Sequence, residues 1–373
     1  MNILSLCKWD YAGCGFFLSD AINRHTKHVS RSVRMLASTL QYPYDLFSVS
    51  HKLLTELWQW CDVVHVHDAA GVAFPPPRLE PKPVVITHHG TIYRRDPQRY
   101  NEEAKAAGWL ATVATPDLTQ YGLPWLPDCR PDLARYVKRP RGSFIVAHAP
   151  TKRAVKGTPA VIGAKLPELD LIENVTWEKC LERKGKARLT IDQFKLGYGC
   201  NAIEAWAMSQ AVIGNGSKTI LGQIKQHIGY LPFVACDPTP EAISATVDRL
   251  RSNRAEYKEA VARGRQCYRD FHSPQAVAIQ AGALYEQAIA EGPAVQRKRG
   301  RNRKPPPEVG ENGLILIEYV GPNAGDMTWH GSITDQKYLL GGVHRKGYVD
   351  KRDLPGLLEA TDKRGRAVFR VVK

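Results

Sequence analysis

The chain has no CxxC pair, although eight cysteines are spread along it at positions 7, 14, 61, 129, 180, 200, 236 and 267. Neither a zinc site nor a disulfide framework is suggested by that spacing, and a reducing cytoplasm fits it. No run of eighteen apolar residues occurs, so no transmembrane helix is expected. Met1-Asn2-Ile3-Leu4-Ser5-Leu6 offers no basic stretch ahead of a long apolar one, and no signal peptide is read there. What is present suits packed cores: 373 residues, 43% hydrophobic and 24% charged, enough for two or three domains.

The formal charge is +15, and Arg297, Lys298, Arg299, Arg301, Arg303 and Lys304 supply six of the positive charges. That run lies in a Gly/Pro-rich tract and reads as a linker rather than a folded face. Subtracting those six from +15 leaves +9, which still favours an anionic donor, a nucleic acid or an acidic partner.

Asn2 to Cys7 reads as a buried first strand. Asp10-Tyr11-Ala12-Gly13-Cys14-Gly15 and a helical pattern follow, the opening unit of a Rossmann-like domain. Gly13 and Gly15 serve a tight strand-to-helix turn or a direct ligand contact equally well. Further strands are expected at 28–33, 46–49, 61–68, 83–90 and 110–114, with helices between several of them. Such alternation implies a parallel sheet that binds ligands at the carboxyl ends of its strands. His67-Asp68 and His88-His89-Gly90 fall at those ends. Structural hydrogen bonds are the simpler account of His65 and His67, whereas His89, directly before a glycine, is the best functional histidine. Residues 115–141, rich in Pro, Trp and Arg, read as an irregular crossing to a second domain.

Phe144 to His148 is a strand that opens into Ala149-Pro150-Thr151-Lys152-Arg153-Ala154-Val155-Lys156-Gly157. Three cations, Lys152, Arg153 and Lys156, between a strand and a helix N-terminus suit a pyrophosphate. Gly197-Tyr198-Gly199-Cys200-Asn201-Ala202-Ile203-Glu204 is the second such turn, with an apolar helix and the strand Ala211 to Ile213 behind it. With Asn201 as N-cap, Glu204 would stand at N3, able to complete a capping box or to accept from a ribose hydroxyl. Trp206 and Met208 read as core. Ser273 with Pro274 starts a last helix through Ala290. Beyond the basic linker, 292–309, the composition changes to a small β-rich module, 310–373.

Taken together, Asp10 to Gly15, Asp62 to Asp68, Val85 to Gly90, Lys156-Gly157, Gly197 to Ile213 and Gly264-Arg265 through Pro274 resemble the retaining GT-B glycosyltransferases, the sucrose- and glycogen-synthase-like superfamily. The order and spacing of these pieces over some 290 residues carry the likeness. It implies an α/β fold of two Rossmann-like domains facing each other, residues 1–141 on the acceptor side and 142–291 on the donor side, with the final helix packing back on the first. It further implies a metal-independent enzyme without a cofactor, using a nucleoside-diphosphate sugar. Lys156 would neutralise the diphosphate, Glu204 would hold the ribose and His89 would sit near the transferred sugar. Gly13 and Gly15, with Gly197, Gly199 and Asn201 opposite, would bring backbone to the donor. Four positions depart from the family pattern: Leu196 stands where a second acid is usual, Thr151 where an arginine is, with Lys152 or Arg153 as substitutes, and Ser209 and Ala211 where Gly and Pro precede the Val-Ile strand.

The tail, Glu318 to Gly325 and Gly347 to Leu358, resembles a small module of tailed-phage head-region proteins. That implies a phage-encoded transferase working in the host cytoplasm on a virion protein, with a head-region contact through 310–373. Two alternatives stand beside it: a DNA glycosyltransferase acting on hydroxylated bases, and an inactive GT-B scaffold with a docking role.

Overall fold

The computed structural model describes residues 1–10, 12–38, 40–67 and 80–293, and in the tail 314–320, 326–330, 337–341, 346–350, 357–358 and 369–371. Asp68, Tyr11 and the basic run 297–304 lie outside them. Met1–Gln296 form one compact unit and Arg297–Lys373 another.

The first sheet contains β1 (Asn2–Cys7), β2 (Val29–Arg34), β3 (Leu46–Phe47), β4 (Val63–His67), β5 (Val84–His88) and β6 (Leu110–Val113). Their order is β3-β2-β1-β4-β5-β6, and every pairing is parallel. In that order the chain reverses its direction of travel between β1 and β4, where a doubly wound sheet opens its ligand crevice. β4 and β5 are buried at all five positions each, because helices cover both faces. Those helices include α1 (Cys14–His25), α2 (His51–Trp60), the single turn α3 (Gly90–Tyr93) and α4 (Pro97–Ala107). Ser50 and Asp96 cap α2 and α4 through their side chains.

The second sheet is built from β7 (Val146–His148), β8 (Leu169–Leu171), β9 (Leu189–Ile191), β10 (Leu196–Gly197), β11 (Ala211–Gly216) and β12 (Val234–Ala235). Its order is β10-β11-β9-β7-β8, with β12 also on β11, and only the β10–β11 pairing is antiparallel. The accompanying helices are α5 (Arg153–Lys156), α6 (Thr158–Gly163), α7 (Trp177–Lys184), α8 (Cys200–Ala207), α9 (Lys218–Ile228), α10 (Pro240–Ser252) and α11 (Arg254–Cys267). After a π-type turn at Tyr268–His272, α12 (Pro274–Glu291) begins with Ser273 accepting from the Ala276 N–H. α12 returns to the first sheet, where the Tyr285 hydroxyl meets His65 Nδ1 at 2.7 Å.

One hydrophobic core spans both halves, joining Phe17, Tyr42 and Leu126 to Trp177, Tyr198, Trp206 and Tyr285. Trp177 leans on Phe17 and Tyr42 with ring centroids 5.2 and 5.3 Å apart, and its backbone N–H donates to the Leu40 carbonyl at 2.7 Å. In the tail unit, β13 (Leu314–Tyr319) pairs antiparallel with β16 (Lys346–Asp350) and β17 (Phe369–Val371). β14 (Asp326–His330) pairs antiparallel with β15 (Lys337–Gly341). Tyr319, Tyr338, Leu340, Val349, Leu357 and Phe369 fill its small core.

Candidate functional site

Two helix starts meet between the sheets. Cys14 is the first residue of α1, Cys200 the first of α8, and the two thiols lie near each other. Around that contact lie most of the residues expected to form a donor site, in a different division of labour from the expected one.

Lys156, Gly199 and Asn201 converge as the two-turn reading requires, but on a carboxylate of the chain itself. Asp192 follows β9 directly and is fully buried. It accepts from Lys156 Nζ at 2.7 Å, from the Gly199 N–H at 2.8 Å and from Asn201 Nδ2 at 3.4 Å. Burial works to raise its pKa, and the Lys156 charge with these hydrogen bonds outweighs burial and holds it below the usual value. The first half repeats the device: Asp10 accepts from the N–H groups of Gly15 and Phe16 at 3.0 and 3.3 Å. Here burial prevails and raises the carboxyl above its usual value.

Several expected roles change. Gly13 makes the turn into α1 with φ +67°, but Gly15 lies within the helix, where a Cβ would overlap Cys7 Sγ. Gly15 therefore lets α1 sit on the sheet, and its N–H is already taken by Asp10. Gly197 needs its left-handed backbone, φ +73°, and a Cβ there would press on Ile224. Asn201 does not cap α8: Gly199 holds the N-cap position without a side-chain bond, so no capping box includes Glu204. Lys152 is exposed, and Arg153 is held by Glu173 at the surface, Nε to Oε1 at 2.8 Å.

Glu204 is 3% exposed. One carboxylate oxygen accepts from Lys184 Nζ at 2.7 Å and the other from Trp177 Nε1 at 2.8 Å, with Arg130 Nε 3.9 Å away. Lys184 and Arg130 are both wholly buried. Lys184 also donates to the Asn201 carbonyl, and Arg130 stacks its guanidinium over Phe17 and donates to Cys14 Sγ at 3.7 Å. In this structure the expected ribose carboxylate is the counter-ion of an internal cation, because α7 delivers Lys184 and Trp177 onto it.

His89 keeps a cleft position at the end of β5. Its Nδ1 lies 3.6 Å from Asp128 Oδ1 and its Nε2 3.4 Å from His67 Nδ1. His65 is structural, held by Tyr285 and by Thr87 Oγ1, each at 2.7 Å. Burial, reinforced by the neighbouring His65 and His89 rings, drives the His67 pKa well down. A cavity of about 10 Å³ is lined by Cys14, His67, His89 and Asp128, among others. Sequence reasoning missed Asp10, Asp128, Arg130, Lys184 and Asp192. The signal for Asp192 was its place directly after a strand, whereas Lys184 and Arg130 carry no local signal.

No protein-family model matches the sequence, and no curated protein matches it. Solved structures do resemble it. Sucrose-phosphate synthase from Thermosynechococcus elongatus superposes with a TM-score of 0.54 at 13% identity, over 78% of this chain and 100% of that one. An α-glucosyltransferase in complex with UDP and a 13-mer DNA containing an HMU base gives 0.54 at 10% identity, over 77% and 99%. Anabaena Alr3699/HepE in complex with UDP and glucose gives 0.52 at 10% identity, again over 77% and 99%. The chain thus has the two-Rossmann, GT-B architecture that its sequence resembles, with small separate antiparallel sheets, one of three strands and one of two, near the C-terminus.

Proposed function

We propose that the chain is a glycosyltransferase taking a sugar from a nucleoside-diphosphate donor, UDP-linked by analogy with its fold-mates, to a macromolecular acceptor. The observation that carries this reading is the grip of Lys156 Nζ and the Gly199 N–H on one carboxylate at the head of α8. Groups that hold Asp192 at 2.7 and 2.8 Å have the charge and direction to hold a phosphate oxygen in its place. The donor diphosphate takes over these bonds from Asp192, and Lys156 offsets the charge that builds on the leaving phosphate. His89, on the opposite sheet, faces the transferred sugar. Transfer is metal-independent and retaining by the same resemblance. Glu204, 3% exposed and held by Lys184 and Trp177, serves as an internal counter-ion in place of the ribose role.

For the acceptor, the tail favours a phage virion protein with a head-region contact, and the +15 charge favours hydroxylated bases of phage DNA. A second reading, a GT-B scaffold without turnover, is favoured by the internal pairing of both Glu204 and Asp192. A screen of nucleotide sugars for nucleoside-diphosphate release, with intact masses of co-expressed acceptors, separates these readings. Release that disappears in Lys156→Ala, with hexose-sized mass added to protein or to DNA, is expected. No release from any donor and no UDP binding would leave the scaffold reading.

A further inference from the structure

Four metal-ligating side chains from four distant stretches of chain come together where α1 meets α8. Ligand atoms of Cys14, His89 and Asp128 all lie within 4.8 Å of one another. Cys200 stands beside them, with Sγ 3.5 Å from Asp128 Oδ2. His89 Nδ1 stands 3.6 Å from Asp128 Oδ1. Tetrahedral zinc with bonds of about 2.0–2.3 Å sets its ligand atoms roughly 3.3–3.8 Å apart, so the separations of His89 and Cys200 from Asp128 are close to those of a loaded site.

We propose that Cys14, His89, Asp128 and Cys200 form a binding site for one zinc-like divalent transition-metal ion that ties the two sheets together. Two sulfurs, one imidazole nitrogen and one carboxylate oxygen are the donor set that such an ion takes in preference to calcium or magnesium. The adjoining cavity, about 10 Å³, has room for a single water-sized occupant. His67 lines that cavity, is 6% exposed, and leaves its Nε2 without a hydrogen-bond partner among the described residues. With His89 Nδ1 on the ion, His89 Nε2–H points to His67 Nδ1, 3.4 Å away, the outer hydrogen bond that fixes a metal-bound imidazole.

Charge agrees with the geometry. Arg130, wholly buried and 3.7 Å from Cys14 Sγ, is placed to donate to a metal-bound thiolate. Loading removes the protons of Cys14 and Cys200 and adds one dication, so the net charge of the pocket does not change. Because two protons leave, affinity rises with pH.

The site goes beyond the transferase reading and does not depend on it. A metal on His89 withdraws that side chain from the sugar, so loading and transfer exclude each other.

The test uses the full chain, reduced and metal-free, titrated with Co(II) and then with Zn(II). One equivalent of Co(II) is expected to give thiolate-to-cobalt charge transfer with the strong visible bands of a tetrahedral ion, and Zn(II) to abolish both. Cys14→Ser and Cys200→Ser, each checked for folding by circular dichroism, should each weaken binding beyond the ~10–100-fold that outer-shell changes cost. Reduced protein that takes up no Co(II), or variants that both bind it as the parent does, would overturn the proposal. If the parent hydrolyses or transfers sugar, Zn(II) should inhibit it and Cys200→Ser should escape that inhibition. Since the spectra need no turnover, a failed donor screen and a failed metal site remain distinguishable.

Discussion

Lys184 carries its ammonium into a place that water does not reach, and Glu204 is the group that makes this tolerable. Removing one partner of such a pair costs far more than removing both, because a buried charge is left uncompensated. Lys184→Met should therefore lower unfolding stability by about 3–5 kcal/mol, and adding Glu204→Gln should recover much of it. Urea midpoints of the parent, the single and the double variant measure this, and a single variant as stable as the parent would refute it. Asp192 answers to a different measurement. If it stands in for a phosphate, Asp192→Asn should tighten UDP binding by about tenfold, and Lys156→Ala should weaken it by a similar factor, each about 1.4 kcal/mol. Calorimetric titration reads both, and weaker UDP binding in Asp192→Asn would show that the carboxylate supports the site instead of plugging it. None of these pairings was legible beforehand: Lys184 lies twenty residues from Glu204, on a helix whose sequence marks it only as amphipathic.

Whole elements were far more legible than their contacts. Glycine turns after β1 and β10, buried apolar strands and the Ser273-Pro274 start of α12 each follow from local chemistry, and each is present. The α8 cap was misread because Asn201 is a good capping residue by type, whereas the Gly199 backbone reached the position first and Asn201 turned to Asp192. Packing of α11 on α8 depends on a close approach at Gly264, where a Cβ would collide with the Trp206 indole. Alanine is the better helix former by about 1 kcal/mol, but overpacking a filled core costs about 1–3 kcal/mol. Gly264→Ala is accordingly expected to be destabilising on balance, seen as a lower melting temperature. A raised one would mean that Trp206 has room to move.

At the scale of the molecule, the shared core makes Met1–Gln296 respond to acid as one body. Burial pushes the His65 pKa down to about 3 and the His272 pKa down to about 4. The unfolded chain binds those protons near pH 6.5, before the folded protein does, so stability is whole above that pH and is lost as pH falls toward 4 and 3. Each histidine contributes a slope of up to about 1.4 kcal/mol per pH unit in that window. Urea midpoints taken between pH 7 and pH 5 should fall steadily, and a flat profile would mean that these rings are already protonated or solvated. A final consequence follows from Asp192. A site that already holds one carboxylate sets a threshold for whatever replaces it. If the donor diphosphate displaces Asp192 as proposed, lone monoanions, which offer no more charge than the group they must displace, would be turned away. A diphosphate, with several charges and oxygens to spread over Lys156 and the head of α8, would clear the threshold, and the cleft would then select multivalent anions.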